Sequence, residues 1–181
     1  MSISISRARH LGRRFVTSLW PGPPDAGDDA WVRRVLGAGE YDLWSQLPNH
    51  DRRHSIGVAR RAQASLRDTE FADDDRWTAA ALLHDVGKLD AHLGVFGRVG
   101  ATLAGAAAGH DRAETWTAKR GITRRVGLYL RHGELGAASI RRVGGAEEAA
   151  RWAAAHHQPA DWASTGIPMP VVRALHDADD D

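Results

Sequence analysis

The 181-residue chain contains no cysteine. Disulfide bonds, thiolate nucleophiles and cysteine-based zinc sites are therefore excluded. Any metal must be held by imidazole and carboxylate groups, which favours iron, manganese, zinc, cobalt or magnesium.

Lysine is almost as rare, with two lysines against 22 arginines. Arginine presents a planar fork, whereas lysine carries a compact charge on a flexible stem, so Lys88 beside a His-Asp pair indicates a site that requires a point charge. The formal net charge is only +1, and the four arginines among the first fourteen residues form a short, interrupted run. No stable nucleic-acid partner is therefore expected.

Long apolar runs are also missing. No segment reaches the ~20 apolar residues that span a bilayer, and the N-terminus lacks the apolar centre of a signal peptide. We therefore expect a cytoplasmic protein without a membrane span. The most apolar stretch, residues 93–109, contains Arg98 and is rich in glycine and alanine, which favours tight helix packing or a connector over a membrane contact.

No stretch alternates as a β-strand does, and the apolar residues recur at helical spacing. We predict an all-α fold in which a poorly ordered segment, 1–27, precedes a single helical domain, 28–181. Helices are expected in DDAWVRRVL, in GEYDLWSQL, from residue 49 or 51 to 66, in DDDRWTAAALLHDV, in two pieces bent around Gly133, in EEAARWAAAHHQP and in GIPMPVVRALHDADDD. A chain of this length buries roughly 70% of its extended surface, which is enough for one core.

Most of the side chains that can bind metal lie near the ends of these predicted helices. They are His54, His84, Asp85, His132, His156, His157, Asp177, Asp179, Asp180 and Asp181. Neighbouring helical positions diverge by only ~100°, so His84 and Asp85 can both reach one pocket. The other histidines, His10, His50, His92, His110 and His176, are interpreted as structural residues, although His92 and His110 could contact a substrate. The arginines at 124, 125, 141 and 142 are interpreted as solvated helix faces.

Five segments in order resemble a known superfamily. DRRHSIGVA, ALLHDVGK, RHGELGAASIRR, AAAHHQP and ALHDADDD look like the H…HD…D signature of HD-domain metal-dependent phosphohydrolases, over about residues 49–180. The additional histidines, His132 and His156, resemble the variant with two metals. The resemblance implies an all-α HD-domain helical bundle of about five core helices around divalent metal ions.

The resemblance also implies the ligands. One metal would take His54, His84, Asp85 and a final aspartate. The second would share Asp85 and take His132 and His156, with His157 as an extra ligand or a nearby donor.

The final aspartate is Asp179 or Asp177. Asp179 is favoured because Val172, Leu175 and Ala178 precede it at core spacing. Asp177 ranks second, since it would place Arg173 one turn earlier on its own face.

The implied reaction is hydrolysis of a phosphoester in a nucleotide or cyclic nucleotide by a metal-bound hydroxide. Asp85 would bridge the metals, and Lys88 would add charge to the phosphate oxygens. The GYP motif of one cyclic-dinucleotide branch is absent, and a variable insert at about 89–131 is expected to form a substrate lid or specificity loop. The alternatives are an HD-fold di-iron oxygenase, which has the same ligands, and a non-catalytic nucleotide-sensing module.

Overall fold

The computed structural model describes residues 22–94, 97, 100–101 and 110–180. This part of the chain contains helices and no strand, which confirms the predicted all-α class. The α-helices are α1 (Ala26–Val35), α2 (Ala38–Ser45), α3 (Asn49–Leu66), α4 (Asp75–Leu83), α5 (His110–Thr117), α6 (Gly121–Leu130), α7 (His132–Arg142), α8 (Glu147–Ala155) and α9 (Met169–Asp180). Two 3₁₀-helices, Val86–Ala91 and Pro159–Ser164, follow α4 and α8.

Short polar side chains begin two of these helices. The Asp25 carboxylate accepts a hydrogen bond from the Asp28 N–H at the start of α1, and Asp74 accepts one from the Arg76 N–H at the start of α4. Both satisfy an amide that has no partner within its own helix. Acidic residues were expected at this end of α4, and the structure shows that Asp74 is its cap.

Two of the helix boundaries that differ from the predictions lie beside His84 and His132. The helix that was expected to run through Val86 ends at Leu83, and a 3₁₀-helix takes over at Val86. The break that was expected at Gly133 lies at Arg131 instead. Gly133 has a different role, because a Cβ there would come within 2.7 Å of the Ala153 carbonyl oxygen and would separate α7 from α8.

The main core is built around α4. All its residues from Trp77 to Leu83 are buried, as expected for a helix that neighbours surround on every side. It packs between α3 and α8, and α9 covers α3. The apolar faces predicted for α3 and α8 are buried apart from Gln63, which is half-buried; they comprise Ile56, Ala59, Ala62, Leu66, Ala149, Trp152, Ala153 and His156.

A second, smaller core lies in the predicted insert. Ala91, Leu93, Ala101 and Leu128 form a separate apolar cluster. α5 and α6 pack together as a hairpin, and α6 rests on the 3₁₀-helix after α4. The remaining positions of the insert between 95 and 109 lie outside the described residues.

At the N-terminus, residues 1–21 of the segment predicted to be poorly ordered also lie outside the described part of the chain, and α1 already begins at Ala26. The boundary between the N-terminal segment and the helical domain therefore stays a prediction.

Among the described residues, no helix combines the length and apolar character needed to cross a bilayer.

Gly87 determines how closely α7 approaches the end of α4. A Cβ at this position would overlap the carbonyl oxygen of His132 and lie 2.5 Å from the amide nitrogen of Gly136. Both atoms belong to the backbone, so neither can rotate away. Only glycine therefore allows the 3₁₀-helix that carries Lys88 to contact the helix that begins at His132.

We expect Gly87→Ala to push α7 away from the 3₁₀-helix. Overpacking of this kind costs about 1–3 kcal/mol of unfolding free energy, which chemical denaturation would measure. Gly94→Ala is the matched control, because a Cβ at Gly94 meets no atom within 4 Å. Equal stability of the two variants would show that the backbone contact at Gly87 is unimportant.

Candidate metal centre

The end of α4 delivers two adjacent side chains to the middle of the protein. His84 and Asp85 follow Leu83 and are each only 1% exposed. Asp85 lies where the chain passes from α4 to the 3₁₀-helix, with φ −103° and ψ 2°. Its carboxylate faces three imidazoles: Oδ2 is 3.4 Å from His84 Nε2, while Oδ1 is 3.4 Å from His132 Nε2 and 3.8 Å from His156 Nε2.

These three histidines share one local arrangement. Each ring contacts, through Nδ1, the backbone carbonyl oxygen three residues earlier: Ala81 for His84 at 2.8 Å, Tyr129 for His132 at 2.7 Å and Ala153 for His156 at 2.8 Å. A carbonyl only accepts, so Nδ1 must carry the proton and donate it. In the neutral imidazole, Nε2 is then a bare acceptor, the form in which histidine binds metals.

The inward-facing atoms lack hydrogen-bond partners. The Nε2 atoms of His84, His132 and His156 and the Oδ1 atom of Asp85 are buried without one. Buried polar atoms are almost always satisfied, and a shared cation would satisfy these three imidazole nitrogens and one carboxylate oxygen together. Their chemistry, imidazole nitrogen with carboxylate oxygen, suits divalent metals such as iron, manganese and zinc.

A second carboxylate enters from the other end of the chain. Oδ1 of Asp179, near the end of α9, lies 2.9 Å from His54 Nε2 and 3.7 Å from His84 Nε2. Arg61 of α3 holds this end of α9 in place, because its Nε and Nη2 atoms donate to the Ala178 carbonyl oxygen at 2.9 and 2.7 Å. The sequence does not predict this role of Arg61, since a contact across 117 positions leaves no local pattern.

The potential ligand atoms fall into three overlapping groups, each with all its atoms within 4.8 Å of one another. The groups are His54, His84 and Asp179; His84, Asp85 and His156; and His132, His156 and His157. Of the residues predicted as ligands, only Asp177 is outside these groups, and its side chain is exposed. His157 lies at the exposed edge, its ring centroid 4.0 Å from that of His156 and 5.2 Å from that of His132.

The carboxylates are held in their charged form. Burial alone would raise the pKa of Asp85, but His84 and Lys88 lower it well below its ordinary value. Burial would likewise raise the pKa of Asp179, and His84 and His54 lower it. A carboxylate must be ionised to bind a metal ion, so both groups are in the binding form.

The surroundings raise the pKa of one histidine and lower the pKa of three others. Burial would lower the pKa of His84, but Asp85 and Asp179 raise it to about 9. Burial and the neighbouring imidazoles instead lower the pKa of His156, and burial lowers that of His54 although Asp179 opposes it. Burial and His132 lower the pKa of His157 to about 4. Metal binding near neutral pH therefore has to displace a proton from His84, whereas the other three rings are already neutral.

Lys88 approaches the same centre from the 3₁₀-helix. Its Nζ donates to Oδ2 of Asp85. Burial would lower the pKa of Lys88, but Asp85, then Tyr129 and Asp51, raise it, so the amine stays charged. Lys88 thus places a compact positive charge beside Asp85, as the presence of a lysine here in an arginine-rich chain indicated.

Asp51 and Tyr129 are residues that the sequence analysis missed. Asp51 is 4% exposed and acts electrostatically on Lys88. The Tyr129 ring stacks on His132 with centroids 5.5 Å apart, and its carbonyl oxygen orients the same imidazole. Their spacing, three residues before His54 and three before His132, is the signal that could have identified them.

An open cleft with a volume of about 590 Å³ lies beside the centre. Its described lining consists of Gln46, Pro48, Lys88, Leu89, Asp90, His92, Leu93 and Gly94. Among the described non-glycine residues, only His92 has a positive φ, with φ 47° and ψ 38°. His92 ends the 3₁₀-helix Val86–Ala91, and a left-handed residue is common at a helix C-terminus, although it is usually glycine.

The remaining histidines whose side chains the structure describes lie outside the three ligand groups. His50 Nε2 is 3.4 Å from Oδ1 of Asp51, and the His176 ring lies 4.7 Å from that of Trp162. His10 and the side chain of His110 are outside the described residues.

Comparison with protein families identifies the class. The family model described as the HD domain matches residues 52–180, a range that includes every residue of the three ligand groups. The chain therefore belongs to the HD-domain family, whose members bind divalent metals and are mostly metal-dependent phosphohydrolases. Searches of curated proteins and of solved structures returned no match.

A pair of variants tests the final ligand. Asp179→Asn should lower the bound metal and weaken its affinity by about tenfold or more, because a neutral amide replaces an ionised oxygen. Asp177→Asn, which removes the same charge two residues earlier on an exposed position, should leave both unchanged. Elemental analysis after dialysis and calorimetric titration would measure the effects, and equal loss in both variants would contradict the choice of Asp179.

Proposed function

We propose that this protein is a phosphoesterase with two divalent metal ions, acting on a nucleotide or cyclic nucleotide. The observation that carries the proposal is the convergence of four buried polar atoms without hydrogen-bond partners, three imidazole Nε2 atoms and one Asp85 oxygen. Membership of a family that consists mostly of metal-dependent phosphohydrolases supports the reaction class.

The ligand groups support an assignment of the two metal positions. His54, His84, Asp85 and Asp179 would hold the first ion, and Asp85, His132 and His156 the second. Asp85 would be the shared ligand, because its two oxygens face different histidines, Oδ2 toward His84 and Oδ1 toward His132 and His156. His157, in one group with His132 and His156, stands beside the second position.

When bound, two such ions lower the pKa of water toward neutrality and offset the charge that develops on phosphate oxygens. The protein contributes the arrangement around them. The buried carboxylates stay ionised, and the backbone carbonyls hold the imidazoles in the correct tautomer. Lys88 both contacts Asp85 and lines the cleft, so its amine can bind an oxygen of a phosphate that enters there.

The cleft supports a substrate with a sizeable organic part. Its volume of about 590 Å³ is within the usual range for small-molecule sites. Gln46 can donate and accept hydrogen bonds, and Pro48, Leu89 and Leu93 offer apolar surface. A nucleoside has both kinds of surface, and its attached phosphate would reach Lys88.

The phosphoesterase proposal can be tested with a metal-loaded, oxygen-free preparation. It should release phosphate or nucleoside from a panel of nucleotides and nitrophenol from bis(p-nitrophenyl) phosphate. Lys88→Gln should lower kcat by about a hundredfold, because it removes a charged donor next to the reacting group. The chain's other lysine provides the control, since Lys119 is exposed on the α5–α6 hairpin and Lys119→Gln should retain full activity.

Oxygen dependence separates this function from the rival with the same ligands. Turnover that occurs only with oxygen would favour the di-iron oxygenase. Bound metal without turnover on any substrate would favour a nucleotide-sensing module.

His92 should contribute to substrate binding and not to the chemical step. His92→Gly removes the imidazole while glycine adopts the left-handed backbone freely. We expect KM for nucleotides to rise by about tenfold, the loss of one good hydrogen bond, while metal content and kcat on bis(p-nitrophenyl) phosphate stay constant. An unchanged nucleotide KM in an otherwise active enzyme would remove His92 from the substrate site.

A further inference from the structure

The turn that joins α5 to α6 carries a concentrated positive charge. Lys119, Arg120, Arg124 and Arg125 are all exposed, and no acidic residue occurs between Glu114 and Glu134. We call residues 119–125 the basic tip. It lies within the predicted insert, in a chain whose net charge is only +1.

The four cations of the basic tip make no ion pair or hydrogen bond with another described residue. Several other surface arginines are paired: Arg33 with Asp29, Arg76 with Asp74 and Glu148, Arg131 with Glu134, and Arg141 with Glu147. The exposed arginines at 34, 67, 142 and 173 form no ion pair with a described residue, but they are far apart in the sequence. The basic tip differs because it holds four such cations within seven residues.

The cations of the basic tip lie at the N-terminus of α6, where positive charge is unfavourable for the helix. Arg120 is the N-cap residue of α6, makes no side-chain capping bond, and the first turn contains no acidic residue. The N-terminus of a helix already carries partial positive charge and exposes free N–H groups, so cations there oppose the dipole. Both the cations and the free amides suit an anion brought from outside the chain.

An exposed aliphatic side chain lies in the middle of this charge. Ile122 is 63% exposed, against 38% for Val143 and 39% for Met169, the other exposed large apolar side chains of the described residues. Proteins bind nucleic acids through aromatic stacking and hydrogen bonds to bases, and isoleucine supplies neither. An apolar side chain surrounded by cations suits the surface of a bilayer, because the side chain enters the acyl boundary while the cations contact headgroup phosphates.

We propose that the basic tip docks on a bilayer that contains anionic phospholipid. Ile122 enters the interface, and Lys119, Arg120, Arg124 and Arg125 contact the headgroup phosphates. The ten residues of α6 span about 15 Å. Tyr129 near the far end of α6 contacts His132, so docking holds the metal centre roughly one helix length from the lipid surface. This proposal does not depend on the reaction that the centre performs.

Co-sedimentation of the full chain with vesicles tests the proposal. The protein should bind vesicles of phosphatidylcholine with one quarter phosphatidylglycerol, fail to bind phosphatidylcholine alone, and dissociate in 0.5 M salt, where the Debye length falls to about 4 Å. Arg124→Gln with Arg125→Gln should weaken binding by roughly thirty-fold, since each cation contributes a factor of about five. Ile122→Ser should weaken it by about tenfold.

The matched control removes two charges elsewhere. Arg67→Gln with Arg173→Gln, both exposed positions outside the hairpin, should leave vesicle binding unchanged. Circular dichroism and metal content should be the same in all variants, which separates a lost contact from a lost fold. Equal binding to neutral vesicles, an unaffected Ile122→Ser variant, or tighter binding to RNA or DNA at equal phosphate concentration would each overturn the proposal.

Discussion

The burial of the Asp85 carboxylate is the constraint on which the rest of the structure depends. An ionised carboxylate that is 1% exposed costs several kcal/mol unless cations surround it. Three imidazoles and the Lys88 amine occupy the positions around it, and they come from α4, the following 3₁₀-helix, the start of α7 and the end of α8. The close contact at Gly87 and the glycine packing at Gly133 bring those elements near enough to serve one group.

The fold places most of the potential metal ligands at helix ends, where backbone N–H and C=O groups lack a partner within the helix. His84 and His156 lie immediately after α4 and α8, and His132 opens α7. Helix interiors meanwhile supply the apolar core, so stability and chemistry use different parts of each helix. His54 is the exception, since it lies within α3, whereas Asp179 lies near the end of α9, next to the Ala178 carbonyl that Arg61 contacts.

The sequence predicted the features that repeat locally. Helical periodicity identified the all-α class and the buried faces of α3 and α8, and the order of the histidines and aspartates led to the family. The role of Arg61 depends on a contact with Ala178, 117 positions away, which no local pattern records. Asp51 was missed although its spacing, three residues before His54, could have indicated it. The early end of α4 and the break at Arg131 lie within stretches whose helical pattern continues past them.

The bond from each Nδ1 to a carbonyl three residues earlier has a consequence for assembly. His84 and His156 receive their orientation from the helix that precedes them, and His132 receives its orientation across the short break from Tyr129. Each imidazole is thus oriented by a backbone atom of its own segment and not by the other ligands. Loss of order at a single helix terminus would therefore misplace one ligand and leave the orientation of the others intact.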